Sequence, residues 1–493
     1  MRSLAPCPSW RSGFTPRPAG SARPAVLRRL AFAVVAACLA LPAFVRAADA
    51  NADARATLRR FYDEALARGH AYENLRTLVT RHPGRLSGSK NLAGAVGWAE
   101  TTLNGLGLDR VYKQDVMVPH WERGARENVI MLGTAGEVSP LSAVALGGSV
   151  GTGEAPLVAD VVEVKSLDEV VTLGSTKIQG KIVFFNRPLD PTTILASQAY
   201  SGAVDQRSRG PGVAGKYGAV GALVRSMTHA LDDLPHTGGT TYPVGGNKIP
   251  AAALSTLAAD RLSAAIAAAA KSGGAVRIAM KLDCRTLPDA PSHNVIGEIK
   301  GSEFPDEVIL VGGHLDSWDI APGAHDNGSG VVQSIEVLRL FRTLGIKPRH
   351  TLRCVLFTNE ENGLRGSAAY ATSVKEKKEK HLLAVETDNG GFLPRGFNLG
   401  STQGDAHERA AAKWGALFEP YGIVGFRKGT GGADVGALLV QGVPVAGLTP
   451  DSPRYFDIHH TTADSLDKVN PRELHLGAAA LASLIWLVDT QGL

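Results

Sequence analysis

Glu307-Val308-Ile309-Leu310-Val311-Gly312-Gly313-His314-Leu315-Asp316 leads, seven residues on, into Ala324-His325-Asp326-Asn327-Gly328-Ser329-Gly330. Val308 to Val311 is a β-branched apolar run lying between Gly301 and Gly312, which predicts a strand buried on both faces. His314 and Asp316 stand two apart at its end, and a period of two puts both side chains on one face. A metal-binding imidazole and a carboxylate that fixes its tautomer stand in this relation. Asp326 then sits in a Gly-rich turn that opens a helix, and Glu360-Glu361 close the next strand.

Working outward, strand and helix alternate from Ser292 to the C-terminus. Asn294–Ile299, Val308–His314, Thr351–Thr358 and Leu382–Glu386 read as apolar strands. Helical spacing follows at Val331–Leu344, Leu364–Lys380, Asp405–Tyr421 and Pro471–Val488. This alternation predicts an α/β fold, a mostly parallel sheet with helices on both faces, with binding chemistry beyond the carboxyl ends of the strands. Before it, residues 120–286 change character. Gly, Ala and Val dominate, with strand-like pieces at Lys181–Phe185, Gly221–Val224 and Ile249–Ala251, and few clustered acids or histidines. This reads as an insert with its own β-rich core, contributing shape rather than chemistry. Residues 48–119 are helical to about Leu106, broken by a loop at Arg81–Ser89, with a strand from Asp109 to Val118.

At 493 residues the chain exceeds one ordinary core. Arg28-Arg29 ahead of the apolar run Leu30–Val45, with small residues near Ala47, predict a signal peptide over 1–47 and export to the periplasm or beyond. A retained anchor is disfavoured, because the run falls short of a span and Pro42 interrupts it. Val35-Ala36-Ala37-Cys38 matches a lipoprotein box, but the apolar stretch continues past the cysteine. Those 47 residues hold seven Arg and no acid, leaving 45 basic against 47 acidic side chains, so nothing calls for nucleic acid or an anionic membrane. Of four cysteines, Cys7 and Cys38 lie in the leader region. Cys284 and Cys354 form one bridge or stay as two buried thiols.

Singly, each acid or histidine has an ordinary explanation as a core residue or a solvated strand end. Jointly they do not. Val311–Asp316, Asp326–Gly330, Thr358–Ser367, Glu386-Thr387-Asp388-Asn389 and His459–Asp464 each follow a strand or fill a loop at one sheet edge. Carboxylates packed so closely repel one another without a cation, and the imidazole–carboxylate mix suits zinc. The pattern points to a two-metal hydrolase.

The chain resembles the co-catalytic di-zinc exopeptidases, a family spanning bacterial leucine aminopeptidases, glutamate carboxypeptidase II and the carboxypeptidase Q branch, and it is most like the last. Arg454–Pro471, Gly432-Ala433-Asp434 and Gly442-Val443-Pro444 join the motifs above in carrying that resemblance. The resemblance implies that His314 and Asp388 bind one zinc, Glu361 and His460 bind a second, and Asp326 bridges them. It implies that Asp316 orients His314 and Glu360 is the general base, acting on a hydroxide shared by the metals. The insert resembles a protease-associated domain, and residues 287–493 hold the main catalytic part. The implied activity is an exported zinc exopeptidase acting on dipeptides or short peptides, with an aminopeptidase of the same family as the alternative. A homodimer is compatible with this reading. His459 has two readings, a donor to the reacting oxygen or a bystander. His325 is expected beside the ligands or in solvent, Asp434 near the substrate loop, and Trp318 and Asp319 in the pocket wall.

Two rivals fail on local grounds. Gly147-Gly148-Ser149-Val150-Gly151 fits GxSxG, but Thr152-Gly153-Glu154-Ala155-Pro156 starts no helix. His407-Glu408 has Ala411 where HExxH needs its second histidine. A non-catalytic binding ectodomain on the same scaffold would lack the ligand set, and this chain keeps every member of it together with Glu360.

Overall fold

A computed structural model describes residues 52–125, 127–133, 136–451 and 453–493. The expected leader, with Cys7 and Cys38, lies outside them. In chain order the strands are β1 (Arg110–Glu122), β2 (Glu127–Leu132), β3 (Val138–Leu141), β4 (Ala143–Ala145), β5 (Leu157–Val164) and β6 (Ile182–Phe185). Then come β7 (Gly221–Arg225), β8 (Ala251–Leu254), β9 (Arg277–Leu282), β10 (Arg285–Ile299) and β11 (Phe304–His314). The last five are β12 (His350–Phe357), β13 (Lys380–Glu386), β14 (Pro394–Gly400), β15 (Gly425–Lys428) and β16 (Val445–Pro450).

They form two eight-stranded sheets. The first runs β1-β10-β12-β11-β13-β16-β14-β15. Its centre, β12-β11-β13-β16, is parallel, so four carboxyl ends share one edge. Antiparallel pairings of β1 with β10, β10 with β12 and β14 with β16 occupy the flanks, which makes the sheet mixed outside its parallel core. Val308–Val311 of β11 and all of β12 are buried, as their β-branched composition predicts. On one face Leu310, Val355 and Ala384 pack on Tyr370, Val374 and Leu438 of the helices Arg365–Lys377 and Gly436–Val440. The opposite face carries the helices Ser329–Thr343 and Pro471–Gln491. Pro471–Gln491 is long and apolar enough for a membrane, but it is a core helix, buried along most of its length.

Gly313 helps to shape the site. A Cβ there would lie 3.0 Å from the Gly330 backbone and 3.1 Å from the Asn327 amide, tighter than ordinary contact, so glycine lets the Ala324–Gly330 turn close over the end of β11 without displacing its neighbours. That closure brings Asp326 to His314.

The second sheet, β3-β2-β9-β5-β6-β7-β8-β4, is drawn entirely from Glu127–Leu282. It is not purely β. Ser255 accepts a hydrogen bond from Ala258 N–H and caps a 16-residue helix, Thr256–Lys271, whose Ala258, Ala259 and Leu262 cover one face. The alanine-rich run there forms helix, as the high helix propensity of alanine favours. The strand expected at Ile249–Ala251 begins at Ala251. Cys284 and Cys354 are both free and buried, the first in the core of the second sheet and the second within β12.

Candidate metal centre

The parallel strands deliver the side chains to one edge. His314 ends β11, Glu360-Glu361 follow β12, Asp388 follows β13, and His459-His460 follow β16 and the short helix Tyr455–Ile458. Asp326 lies at the centre. Its Oδ1 is 3.3 Å from His314 Nε2, and its Oδ2 is 3.2 Å from His460 Nε2. His314 Nε2 is also 3.4 Å from Asp388 Oδ1 and 4.0 Å from Glu360 Oε2. His460 Nε2 is 3.2 Å from Glu361 Oε2. His459 joins the group, with Nε2 3.4 Å from Asp326 Oδ2 and its ring stacked on His460 at 3.5 Å. Two ligand clusters therefore share Asp326: His314 with Asp388, and His460 with His459, next to Glu361.

The donor set suits a divalent cation on an independent count. His314 Nε2, Asp326 Oδ2, Glu361 Oε1 and Asp388 Oδ1 are buried without a hydrogen-bond partner among the described residues. Buried polar atoms left so call for an ion or an ordered water, and four of them on carboxylates and an imidazole around one point favour a cation. Among protein groups alone, burial and the neighbouring Asp326 push Glu361 up to about 7. Burial opposes charge on His460, but Glu361 and Asp326 outweigh it and raise the imidazole to about 9. Burial, reinforced by Asp388, Glu361 and Asp434, holds Glu360 well above the usual carboxyl range.

Asp316 lies beside His314, as the spacing suggests, and its carboxylate also grips the next turn. Its carboxylate accepts the backbone N–H of Glu360 at 3.0 Å and of Glu361 at 3.2 Å, and lies 3.7 Å from His314 Nδ1. His314 Nδ1 is also 3.1 Å from the Asp316 carbonyl oxygen. One buried carboxylate thus ties the end of β11 to the turn after β12. Asn359 opens that turn in the left-handed region at φ 65°, a conformation Asn tolerates. His460 is also left-handed, at φ 62°, which is the kind of backbone strain that gathers at functional sites.

Several contributors carried no local signal. Arg85 is fully buried in the loop read at Arg81–Ser89, and donates to the carbonyls of Leu315 at 2.8 Å, Pro322 at 2.6 Å and Gly323 at 3.1 Å. Burial draws it down to about 10, and Asp464 and Asp316 act against that. Asp464, quoted in its motif but given no role, accepts from the N–H of His325 at 2.7 Å and of Asp326 at 3.0 Å. Trp318 and Asp319 are not in the wall of the central cavity. Trp318 is 2% exposed inside the core of the second sheet, and Asp319 is bidentate with Arg123 at 2.6 and 2.8 Å. Apolar area holds Trp318 there with its ring edge-on to that of His460 at 5.7 Å, and the ion pair with Arg123 holds Asp319. His325 stacks on Phe392 at 4.3 Å and accepts from Gly391 N–H, and buried Asp434 is raised to about 7 by burial. Ser149 is buried, and its hydroxyl accepts from Ala251 N–H at 2.8 Å, so GxSxG is a structural loop.

A cavity of about 760 Å³ opens on Asp326, Glu360, Glu361 and Asp388. Its far wall comes from the second sheet's segments, through Tyr200, Arg207 and Thr240. The insert therefore reaches the site, although its sequence suggested shape alone.

Residues 294–485 match the profile of "Peptidase family M28". Carboxypeptidase Q of Bos taurus is 36% identical over 422 residues, covering 86% of each chain. A solved peptidase M28 precursor from Shewanella amazonensis superposes with a TM-score of 0.83 at 34% identity, covering 90% of this chain and 98% of that one. An aminopeptidase from Aneurinibacillus sp. strain AM-1 shares the fold, with a TM-score of 0.60 at 22% identity over 86% of this chain and 95% of its own.

Proposed function

The chain belongs to peptidase family M28 and is a metallo-exopeptidase, and from that premise we propose its metal stoichiometry, specificity and division of labour. It is an exported enzyme that holds two zinc ions and removes a terminal residue from dipeptides or short peptides. The observation that carries this is Asp326, whose two carboxylate oxygens lie 3.3 and 3.2 Å from imidazoles at opposite ends of the site. His314 and Asp388 would hold one ion, Glu361 and His460 the other, and Asp326 would serve both. When bound, the ions supply Lewis acidity toward the attacking water and the scissile carbonyl.

The remaining work falls to the chain. Glu360 takes the proton of the water and passes it to the departing amine, a role that its burial among carboxylates favours by raising its proton affinity. Asp316 holds Glu360 in register through its backbone N–H. Arg85 and Asp464 hold the loop bearing Asp326 through its carbonyls and N–H groups. The cavity, at about 760 Å³, has room for a short peptide. Residues 120–286 are a protease-associated-like insert, a reading supported by their separate sheet. Export rests on the leader over 1–47.

Carboxypeptidase specificity is favoured over aminopeptidase specificity by the 36% identical carboxypeptidase Q, which matches over most of both lengths. A dipeptide panel with either terminus blocked, run with and without chelator, tests this. Turnover should need a free carboxylate and vanish with chelator. Cleavage of C-terminal amides but not of N-acylated peptides would assign an aminopeptidase. Chelator-resistant activity, or fewer than two zincs per chain, would refute the metal assignment.

A further inference from the structure

A second cavity, of about 340 Å³, lies beside the metal centre. It shares two wall residues with the central cavity, Asn389 and Phe456. Both stand at the reacting end. Asn389 directly follows Asp388, and the Phe456 ring lies 5.3 Å from that of His459 and stacks on Tyr200 at 4.5 Å. The two hollows are therefore neighbours across one partition. Asn389 stands in that partition with no hydrogen-bond partner for its side chain among the described residues. A carboxamide carries a donor and an acceptor together, the complement of a peptide unit passing from one hollow to the other.

The two walls differ in chemistry. The central cavity presents the carboxylates of the metal centre, with the cations Arg207 and Lys248 among its other lining residues. The second is walled by Ile194 and Leu195, from the segment after β6, and by Val424 and Pro450, from the catalytic sheet. Arg395 and Asp451 line it too, but they pair with each other at 3.1 Å, which leaves Arg427 as its unpaired charge. Ile194 is 98% exposed and Val424 75%. Single exposed apolar side chains need no explanation, but two elements far apart in sequence that bring theirs to one hollow mark a binding surface. Both are held in place by hydrogen bonds. Val424 N–H donates to the Arg395 carbonyl at 3.0 Å, and Asp190 accepts from Thr192 N–H at 2.9 Å in the turn that leads to Ile194.

We propose that this second cavity is a subsite for the substrate's own chain, taking the apolar side chain of the residue two places before the scissile bond. Its place next to the central cavity selects the substrate as occupant. This rests on the carboxypeptidase reading above, which puts the free carboxylate in the central cavity and the rest of the peptide on the other side of the bond. A dipeptide leaves the subsite empty, and a tripeptide is the shortest substrate that fills it.

The zinc-loaded enzyme tests this with acetyl-Leu-Ala-Ala and acetyl-Gly-Ala-Ala, each followed by release of the C-terminal alanine. The parent should favour the leucine peptide by about ten-fold in kcat/KM, the lower end of what filling an apolar pocket gives. In Val424→Asp and in Ile194→Asp that preference should vanish. Both side chains are exposed, so neither change disturbs a core. Equal rates for the two peptides in the parent would overturn the proposal, as would a preference that survives in both variants. A surviving preference together with a change from dimer to monomer on sedimentation would give the groove to a second copy of the chain. Cleavage of unblocked dipeptides but of neither acetylated peptide would overturn the carboxypeptidase reading beneath the proposal, and the proposal with it.

Discussion

Replacing Asp316 with Asn isolates what this buried carboxylate does. The side chain is fully buried and the substitution preserves its shape, so no cavity opens. The carboxylate accepts two backbone N–H groups, from Glu360 at 3.0 Å and Glu361 at 3.2 Å, each charge-assisted and worth about 1.5–3 kcal/mol. Asn keeps one oxygen, so one bond survives in weaker, neutral form, while its NH₂ faces the other N–H donor. The net loss is about 3 kcal/mol, equivalent to about 100-fold in the population of the correct turn. That turn carries both the proposed base and a proposed ligand. At saturating zinc, kcat/KM for a dipeptide should therefore stay down by about 100-fold. Recovery to within about three-fold of the parent on adding zinc would refute the reasoning, because the carboxylate would then matter only for orienting His314.

Glu360→Gln should retain both zincs by elemental analysis and lose about 10²–10⁴-fold in kcat; substantial residual turnover removes Glu360 as the base. Metal-free protein should lose stability as pH rises from 6.5 to 8. Glu361, Asp434 and Asp464 are raised to about 7 by burial, so the folded state holds protons that the unfolded state has released. Their contribution is lost as pH passes through 7, on the order of 1 kcal/mol per group over this window. His236 and His325, lowered by burial to about 3 and about 4, act the other way near pH 6.5, where the unfolded imidazoles still release protons, while His460, raised to about 9, adds to the loss. Zinc should reverse the trend, since its ligands bind deprotonated; urea midpoints of metal-free protein that stay flat or rise would refute the assignment. Gly147→Ala would drive a Cβ into the Trp318 ring, and overpacking of this kind costs about 1–3 kcal/mol. An unchanged denaturation midpoint would show that Trp318 has room to move.

The catalytic sheet was legible because both of its signals are local. β11 and β12 are apolar runs buried on both faces, and the helices between them repeat at helical spacing. β14, β15 and β16 escaped, since the four-residue β15 is partly exposed and β14 is broken by Pro394 and Gly396. In the site, the residues that follow strands stood out. Arg85, Arg207 and Thr237 did not, because their partners at the site lie 230 or more residues away in the sequence for Arg85, 253 for Arg207 and 223 for Thr237.

Residue type and strand period are properties of neighbouring positions, so the chain alone specified that acids and imidazoles would collect at the carboxyl edge of a parallel sheet. Which oxygen faces which nitrogen was decided only by the tertiary structure. Asp316 grips the Glu360-Glu361 turn, Trp318 seeks apolar area in the second sheet, and Thr237 meets His460 across the cavity wall. Hydrogen bonds act over about 3 Å, whatever the separation in sequence, and only the packed chain brings such distant groups within that reach.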